Sequence, residues 1–274
     1  MARIHAISTG LVQVRQAQRT GKGHGVARVL NMLIDKEWTE WLPIFVWVIE
    51  QGNGVVLVDT GETARVHQLG YHPRWHPFYR RAARFRVAPE DELGPQLRSL
   101  GIKTSDIRAV ILTHLHTDHA GGLAHVVGCP TWVHSAEFAS AKGLMGRLNG
   151  YLPNRWPKWW QPNLLQFRDR SVGPFSQSAA ISADEEILVI PTPGHTPAHV
   201  SVLVQGSPSV FLAGNTSYNQ ALLIEGKVDG VSPNEEVSRQ TLGRIRDLAR
   251  QRPLVYLPSH DLESVARLEG GITL

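Results

Sequence analysis

The chain has 274 residues, of which 42% are hydrophobic and 19% charged, and its formal net charge is +4. This composition is typical of an ordinary globular protein and excludes fibrous, disordered and disulfide-rich classes. The single cysteine, Cys129, can form neither an internal disulfide nor a thiolate zinc cage, so a reducing compartment is expected. With no signal-peptide pattern at its start and no apolar run of eighteen residues, we expect a cytoplasmic protein without a membrane partner.

The first half of the chain predicts strands followed by a helix and a buried strand. The apolar runs Ile44–Ile49 and Val55–Val58 flank the segment Gln51–Gly54, a spacing that is typical of a β-hairpin. A helix is expected over Glu90–Leu100, because the glycine that follows can end it. The short run Arg108–Thr113 then predicts a buried strand that ends where a histidine-rich segment begins.

Residues 143–175 differ in composition from the rest of the chain. Tryptophans, among them Trp156 and Trp160, alternate with prolines there, so neither a strand nor a long helix is expected. We predict a single domain over residues 1–274, in which this segment is an insertion over the functional site and forms an apolar groove. The alternative interpretation is a local tryptophan core, since aromatic side chains are most often buried for stability.

The second half also mixes strands with a helix. A helix is predicted from Ser232, with the serine as N-cap and Pro233 at the first helical position. The predicted strands of this half are Glu186–Ile190, Val200–Val204, Val210–Ala213 and Leu254–Leu257. Both halves end strands with polar, histidine-bearing loops, so the sequence predicts an α/β fold with its ligands at the strand ends.

The segment from His114 to His119 carries the strongest chemical signal. It reads His-Leu-His-Thr-Asp-His, and imidazole nitrogens and carboxylate oxygens are the ligands that zinc takes in catalytic sites. In extended backbone, His114 and His116 point to the same side, and after a turn Asp118 and His119 offer a second pair. One tight loop can therefore supply ligands to two adjacent metal ions, whereas an isolated histidine is usually a structural residue.

Three later positions extend this set. His195 lies in a glycine–proline turn, Asn215 follows a predicted strand, and His260 ends the last one. The full pattern resembles the metallo-β-lactamase superfamily, from Phe45 to His260, and includes Asp59. The resemblance implies an αβ/βα sandwich of two mixed β-sheets flanked by helices. It also implies hydrolysis by a hydroxide bound to two divalent metal ions, with zinc as the expected metal.

The resemblance also implies how the ligands are shared. The six matching residues form one set for each ion: His114, His116 and His195, then Asp118, His119 and His260. One position departs from the family, because Asn215 stands where an aspartate normally bridges both ions. An amide oxygen binds a cation without neutralising it, so the second site is expected to be weak. Asn215 is either a natural variant or a replacement that weakens turnover.

Tyr218, three residues after Asn215, narrows the resemblance to the N-acyl-homoserine lactone lactonases, in which this tyrosine contacts the substrate carbonyl. A packing tyrosine is the alternative interpretation. Asp118 is the second residue with an expected catalytic role, since it can pass a proton to the leaving alkoxide. The expected function is a quorum-quenching lactonase, in which Asp59 and His199 are candidates to orient the ligand imidazoles.

The residues leave two other functions open. A phosphotriesterase or other ester hydrolase of the same superfamily would use the same ligands, and Asn215 is compatible with a low-activity metal-binding protein. The arginines at positions 80, 81, 84 and 86 are interpreted as a solvated face rather than a nucleic-acid site. The expected partner is therefore a small ester or lactone and not a nucleic acid, and a homodimer stays open.

Overall fold

The computed structural model describes residues 2–52, 54–182 and 185–274, and the chain divides into two compact units. The first unit comprises residues 1–14 and 38–164, and the second comprises residues 15–37 and 165–274. The strands are β1 (Arg3–Val14), β2 (Leu42–Gln51), β3 (Gly54–Val58), β4 (Ala83–Arg86), β5 (Ile107–Ile111), β6 (Thr131–His134), β7 (Asn163–Leu165), β8 (Ala179–Ala180), β9 (Ile187–Pro191), β10 (Val200–Val204), β11 (Ser209–Gly214) and β12 (Leu254–Pro258). The α-helices are α1 (Gln16–Arg19), α2 (Val26–Ile34), α3 (Pro77–Arg81), α4 (Leu93–Ser99), α5 (Thr117–Ala120), α6 (Ser135–Ser140), α7 (Gly143–Leu148), α8 (Gln220–Glu225), α9 (Glu235–Gln251) and α10 (Ser264–Gly270).

The first unit is built on a seven-stranded mixed sheet in the order β4-β1-β2-β3-β5-β6-β7. Strands β3, β5 and β6 run parallel, whereas β1 pairs antiparallel with β2 and β4. Val46, Leu57 and Val110 of this sheet are buried in one apolar core with Leu93 and Leu97 of α4. Because parallel strands end at the same edge of a sheet, the loops after β3 and β5 start side by side.

The second unit is built on a five-stranded sheet in the order β12-β11-β10-β9-β8. Strands β11 and β12 are parallel, and the other pairs are antiparallel. Helix α9 buries Leu242, Ile245 and Leu248 in a core with Phe211 and Tyr256. Since β9 and β11 both pair antiparallel with β10, the chain leaves β9, β11 and β12 at the same edge.

The structure confirms most predicted strands to within two residues, and it corrects the starts of two helices. Helix α4 begins at Leu93 instead of Glu90, because Pro89 opens a separate turn and the Glu92 carboxylate accepts hydrogen bonds from Thr63 Oγ1 and the Ala64 N–H. Of the predicted hairpin turn, Asn53 lies outside the described residues.

Helix α9 is capped by Asn234, not by Ser232 as predicted. The Asn234 side chain accepts from the N–H groups of Glu236 and Val237. Ser232 is engaged elsewhere, since its N–H and its hydroxyl both donate to Asp229 Oδ1. A carboxylate oxygen three residues upstream thus removes the serine from the capping position that its sequence pattern indicates.

The segment 143–175 has more regular structure than the sequence predicted. It contains helix α7 and strand β7, and β7 is the edge strand of the seven-stranded sheet. Two of the predicted surface arginines have packing partners, because Arg84 and Arg86 each lie 4.0 Å above the ring of a tryptophan, Trp38 and Trp41. Within the described residues, no helix combines the length and the apolar character that a membrane crossing requires.

Candidate functional site

The predicted ligands of the first unit lie together. The ring centroid of His114 is 4.8 Å from that of His116 and 4.0 Å from that of His119. Asp118 Oδ2 lies 4.0 Å from His119 Nε2. The extended residues after β5 carry the first two histidines, and the short helix α5 carries Asp118 and His119. The unit therefore brings together the four side chains that the motif predicted as one cluster.

Asp59 holds the motif in place from the neighbouring strand end. It follows β3 with φ of +66°, a left-handed conformation that aspartate tolerates better than most residues. Its Oδ1 accepts from the Thr113 N–H at 2.8 Å and its Oδ2 lies 2.7 Å from His119 Nδ1. A carboxylate on one ring nitrogen leaves the opposite nitrogen, Nε2, to act as a metal ligand. Burial alone would lower the pKa of His119, but the charges of Asp59 and Asp118 outweigh it and raise that pKa.

The other two histidines of the motif are held in the same manner. Thr113 Oγ1 lies 3.1 Å from His114 Nδ1, and the Asn149 carbonyl lies 3.3 Å from His116 Nε2. The buried Glu137 fixes the loop between them, because its Oε1 accepts from the Leu115 N–H at 3.1 Å. Glu137 was missed by sequence reasoning, since a lone glutamate carries no recognisable signal.

In the second unit, His195 is held by a buried carboxylate that the sequence did not indicate. Asp229 Oδ2 lies 2.6 Å from His195 Nδ1, and Asp229 Oδ1 accepts from the N–H groups of Val231 and Ser232. Burial alone would raise the pKa of Asp229, but the charge of His195 and the hydrogen bonds from Ser232 outweigh it and lower that pKa. Asp229 thus leaves His195 Nε2 as the ligand atom, as Asp59 does for His119.

Asn215 lies beside His195, at the end of β11. Its Nδ2 is 3.4 Å from His195 Nε2, and its N–H donates to His199 Nε2 at 3.0 Å. His199 Nδ1 in turn contacts Thr192 Oγ1 at 2.9 Å, so this histidine fixes the backbone of Asn215. Asn215 Oδ1 is buried and has no hydrogen-bond partner among the described residues. A buried amide oxygen without a partner is costly unless a cation or water satisfies it.

Tyr218 and His260 form the remainder of the predicted set in this unit. Their rings stack with centroids 5.7 Å apart and an interplanar angle of 28°. The Ser259 N–H donates to the Gly214 carbonyl at 3.0 Å, so the ends of the parallel strands β11 and β12 are tied together. His260 is buried and Tyr218 is 5% exposed, which places a phenol beside a predicted metal ligand.

The donors of each unit fit divalent metal ions. Buried imidazoles whose second ring nitrogen is bonded to a carboxylate, a hydroxyl or a carbonyl are the arrangement that metal-ligating histidines adopt. His119 and His195 meet this description with Asp59 and Asp229, and the unpartnered Oδ1 of Asn215 adds an oxygen donor. Nitrogen and oxygen donors without thiolates suit zinc and also iron, cobalt and manganese.

The aromatic insertion of the first unit packs on its own core. The Trp156 and Trp160 rings lie 4.9 Å apart, and both contact the ring of Phe138. Trp160 is buried and its Nε1 donates to Thr131 Oγ1 at 2.9 Å, so this tryptophan has the structural role that was the alternative interpretation. Trp156 is half-buried and lines a cavity of about 640 Å³ together with Phe138 and Lys142.

The sequence profile of the metallo-β-lactamase superfamily matches residues 39–260. The chain therefore belongs to this superfamily, and the predicted fold class, two mixed β-sheets flanked by helices, is confirmed. Its curated relatives include N-acyl homoserine lactonases. One from a Bacillus species is 25% identical over 230 residues, which cover 81% of this chain and 82% of the relative. The lactonase of Bacillus cereus is 26% identical over 234 residues, with the same coverage.

A probable metallo-hydrolase of Mycobacterium tuberculosis is 28% identical over 234 residues, which cover 79% of this chain and 74% of the relative. Among solved structures, an N-acyl homoserine lactone hydrolase with N-hexanoyl-L-homoserine at its catalytic metal centre superposes with a TM-score of 0.77. It is 19% identical, and the match covers 96% of this chain and 94% of that one. The relatives and structural neighbours are thus metal-dependent hydrolases, and the lactonases among them support the function that the sequence predicts.

Proposed function

We propose that this chain is a lactonase that opens N-acyl homoserine lactones. The observation that carries the proposal is the resemblance to curated lactonases over four fifths of the chain. The stacking of Tyr218 on His260 supports it, because the tyrosine ring then lies beside a predicted metal ligand. Opening such lactones in the cytoplasm would remove a bacterial signal, which is a quorum-quenching role.

Two divalent ions, of which zinc is the expected species, belong to the two sets that the family resemblance implies. Each of the six residues offers one ligand atom of a type that zinc accepts. The resemblance assigns His114, His116 and His195 to one ion, and Asp118, His119 and His260 to the other. Asn215 contributes its amide oxygen in place of a bridging carboxylate, so the ion of the second set is held more weakly.

Bound ions of this kind would lower the pKa of water far enough to supply hydroxide at neutral pH. The residues of the chain provide the remaining steps. Tyr218 donates its phenolic hydrogen to the lactone carbonyl oxygen, where negative charge develops. Asp118 delivers a proton to the ring oxygen as the ester C–O bond breaks, and the product is the open N-acyl homoserine.

The test is turnover of an N-acyl homoserine lactone panel by the purified chain, with the ring-opened product identified by mass spectrometry. We expect activity that chelation abolishes and zinc restores, with between one and two metal ions per chain. His114→Gln should lose at least 100-fold in kcat/KM, on the scale of losing one metal ligand's electrostatic contribution. The matched control is His5→Gln, because His5 pairs with Glu50 on the neighbouring strand, and this variant should keep full activity.

The same assay separates the lactonase from the other functions. Turnover of organophosphate triesters without turnover of lactones would identify a phosphotriesterase. Stoichiometric metal without turnover of any ester would identify a metal-binding protein, in line with the neutral side chain of Asn215. Protein purified without chelator that contains no transition metal would contradict the proposal in all its forms. A single domain of 274 residues is the proposed functional unit, and sedimentation of the active protein tests for a homodimer.

A further inference from the structure

Gln18, on helix α1 of the second unit, contacts the phenol of Tyr218. Its Nε2 donates to the Tyr218 hydroxyl at 2.8 Å, and the two side chains are 4% and 5% exposed. Nothing in the sequence indicated this pair, because two hundred residues separate its members. The hydrogen bond therefore joins the start of the chain to the tyrosine with the expected catalytic role.

Residues 228–230 form a loop that holds the backbone at Gln18 and Gly21. The Gly230 N–H donates to the Gln18 carbonyl at 2.6 Å, and the Gly21 N–H donates to the Val228 carbonyl at 3.0 Å. A side chain at Gly230 would not fit, since its Cβ would lie 2.3 Å from the Ala17 carbonyl oxygen. The close approach of these backbones fixes the position from which Gln18 reaches Tyr218.

The same loop also positions a predicted metal ligand. Asp229, between Val228 and Gly230, holds His195 Nδ1 through its carboxylate. The three consecutive residues 228–230 therefore form hydrogen bonds both with the segment of helix α1 and with the His195 imidazole. A shift of this loop would move the amide of Gln18 and the ring of His195 together.

The amide of Gln18 is committed to Tyr218. Its Oε1 is buried and has no hydrogen-bond partner among the described residues, so the contact with the phenol is the polar contact that orients the side chain. A glutamine kept only for packing would gain from an apolar side chain of the same length, because an unsatisfied buried oxygen is unfavourable. The amide therefore combines an unfavourable buried oxygen with a donor that Tyr218 accepts from.

A hydroxyl group that accepts a hydrogen bond along one direction directs its own hydrogen along another. We infer that Gln18 is a positioning residue, which orients the Tyr218 hydroxyl so that its hydrogen is offered to the carbonyl oxygen of the substrate. The inference rests on the proposed function, since it assigns a task to Gln18 in the opening of a lactone. Gln18 does not itself touch the reacting atoms.

The test is a double-mutant cycle with two variants of nearly equal shape, Gln18→Met and Gln18→Glu, each made in the parent chain and in Tyr218→Phe. Gln18→Met removes the donor, so kcat for a lactone should fall about 10-fold, the lower end of the range for partners that orient a functional group. KM and metal content should stay within twofold of the parent. Gln18→Glu should fall further, because a carboxylate accepts the phenolic hydrogen and turns it away from the substrate.

In the Tyr218→Phe background, neither Gln18 variant should lower kcat by more than twofold, since no hydroxyl is left to orient. The matched control is Gln16→Met, which changes the same residue type on the same helical turn and should keep parent activity. Thermal unfolding of all variants identifies any that fail to fold. If Gln18→Met does not fold, the kcat of Gln18→Glu, which has nearly the shape of glutamine, tests the inference.

Two outcomes overturn the inference alone. One is an equal loss of kcat in both backgrounds, which would assign Gln18 a structural role. The other is a Gln18→Glu variant as active as the parent, which would show that the direction of the hydrogen bond is irrelevant. A metal-loaded parent chain that opens no lactone overturns the proposed function and the inference with it.

Discussion

Both units hold predicted histidine ligands with buried carboxylates, but the ligands are spaced differently along the sequence. In the first unit, one segment of six residues carries His114 and His119, and Asp59 holds it from the next strand end. In the second unit, His195 and His260 come from loops that are 65 residues apart in sequence, and Asp229 from a third loop holds His195. In both units a buried carboxylate fixes one ring nitrogen of a histidine and leaves the other for a metal ion.

The two units differ in the charge of an oxygen donor among their predicted ligands. The predicted ligands of the first unit include the carboxylate of Asp118, whereas the oxygen donor beside His195 in the second unit is the neutral amide of Asn215. The backbone of Asn215 is fixed, because its N–H donates to the buried His199. Restoring a charge at this position should therefore act on the metal ions without disturbing the fold.

The largest effect is expected from Asn215→Asp. A carboxylate there compensates the repulsion between two cations, so occupancy of the second metal site should rise. Turnover of lactones should rise by about 10-fold to 1,000-fold, the range for restoring a preorganised electrostatic group. Metal content and kcat are compared for both forms at matched metal concentration.

The control is Asn234→Asp, which adds the same charge at the N-cap of α9, where aspartate also caps. It should leave metal content and turnover unchanged. If Asn215→Asp leaves both quantities unchanged or lowers them, the amide is an adaptation of this chain, and the difference in charge between the two units has no functional weight.

The next effect tests the similarity of the two units. Asp59→Asn and Asp229→Asn each keep the shape of the side chain but remove the charge that faces His119 or His195. Each should weaken metal binding by about 10-fold to 100-fold, the range for residues that orient ligand histidines. Zinc affinity is measured by competition with a chelating dye.

Asp106→Asn is the control for these variants, because Asp106 is an exposed residue whose carboxylate accepts from the Lys103 N–H. If zinc affinity falls in Asp59→Asn but not in Asp229→Asn, only the carboxylate of the first unit supports metal binding. If zinc affinity falls in neither variant, neither carboxylate contributes to metal binding.

The sequence predicts a site residue more readily when it belongs to a contiguous motif than when its partners are distant in the chain. A contiguous motif such as the one from His114 to His119 is visible because its ligand types and its spacing coincide in one segment. The carboxylate of Asp229 is not visible, because its role arises only when the loop before α9 folds against the turn that carries His195. Gln18 is hidden for the same reason, since its partner Tyr218 is distant in sequence and a buried glutamine has no pattern.

The fold could be predicted where the burial of hydrophobic runs determines the structure. It could not be predicted where another side chain forms hydrogen bonds that replace a local one. The runs that form β2, β3 and β10 were correctly placed because burial of apolar residues alone determines them. The start of α9 was wrong, because the Asp229 carboxylate draws Ser232 away from the capping position. Sequence patterns describe local preference, and such tertiary hydrogen bonds override it.

A third effect concerns Glu62, a buried residue of the first unit whose carboxyl group is only partly hydrogen-bonded. Glu62 Oε2 has no hydrogen-bond partner among the described residues, and Glu62 is fully buried. Burial raises the pKa of Glu62 to about 8, and the charge of Asp118 adds to this, whereas hydrogen bonds from Thr117 and Thr63 oppose it. Asp229 of the second unit, with its full set of hydrogen bonds, shows the opposite direction.

The raised pKa means that the folded chain keeps a proton on Glu62 that the unfolded chain releases. Between pH 4.5 and about 8, stability should therefore fall as the pH rises, by an amount on the order of 4 kcal/mol, and then level off. Glu62→Gln cannot ionise, so it should match the parent near pH 4.5 and exceed it above pH 8.

The measurement is urea unfolding of the metal-free protein at several pH values. Glu263→Gln, which changes a side chain that is 81% exposed, is the control and should follow the parent at every pH. A Glu62→Gln curve that runs parallel to the parent curve would show that Glu62 is ionised in the folded chain, and the contrast with Asp229 would disappear.

The smallest effect tests whether the aromatic insertion serves the substrate as well as the core of the first unit. If the acyl chain binds in the cavity beside Trp156, kcat/KM should rise with chain length by up to about 0.8 kcal/mol, or roughly fourfold, for each buried methylene. Trp156→Ala should flatten this dependence, because it removes an aromatic wall of the cavity. Trp159→Ala is the matched control, since its side chain is 44% exposed and does not line that cavity. A parent chain whose kcat/KM is independent of acyl length would leave Trp156 with packing on Phe138 as its role, like that of Trp160.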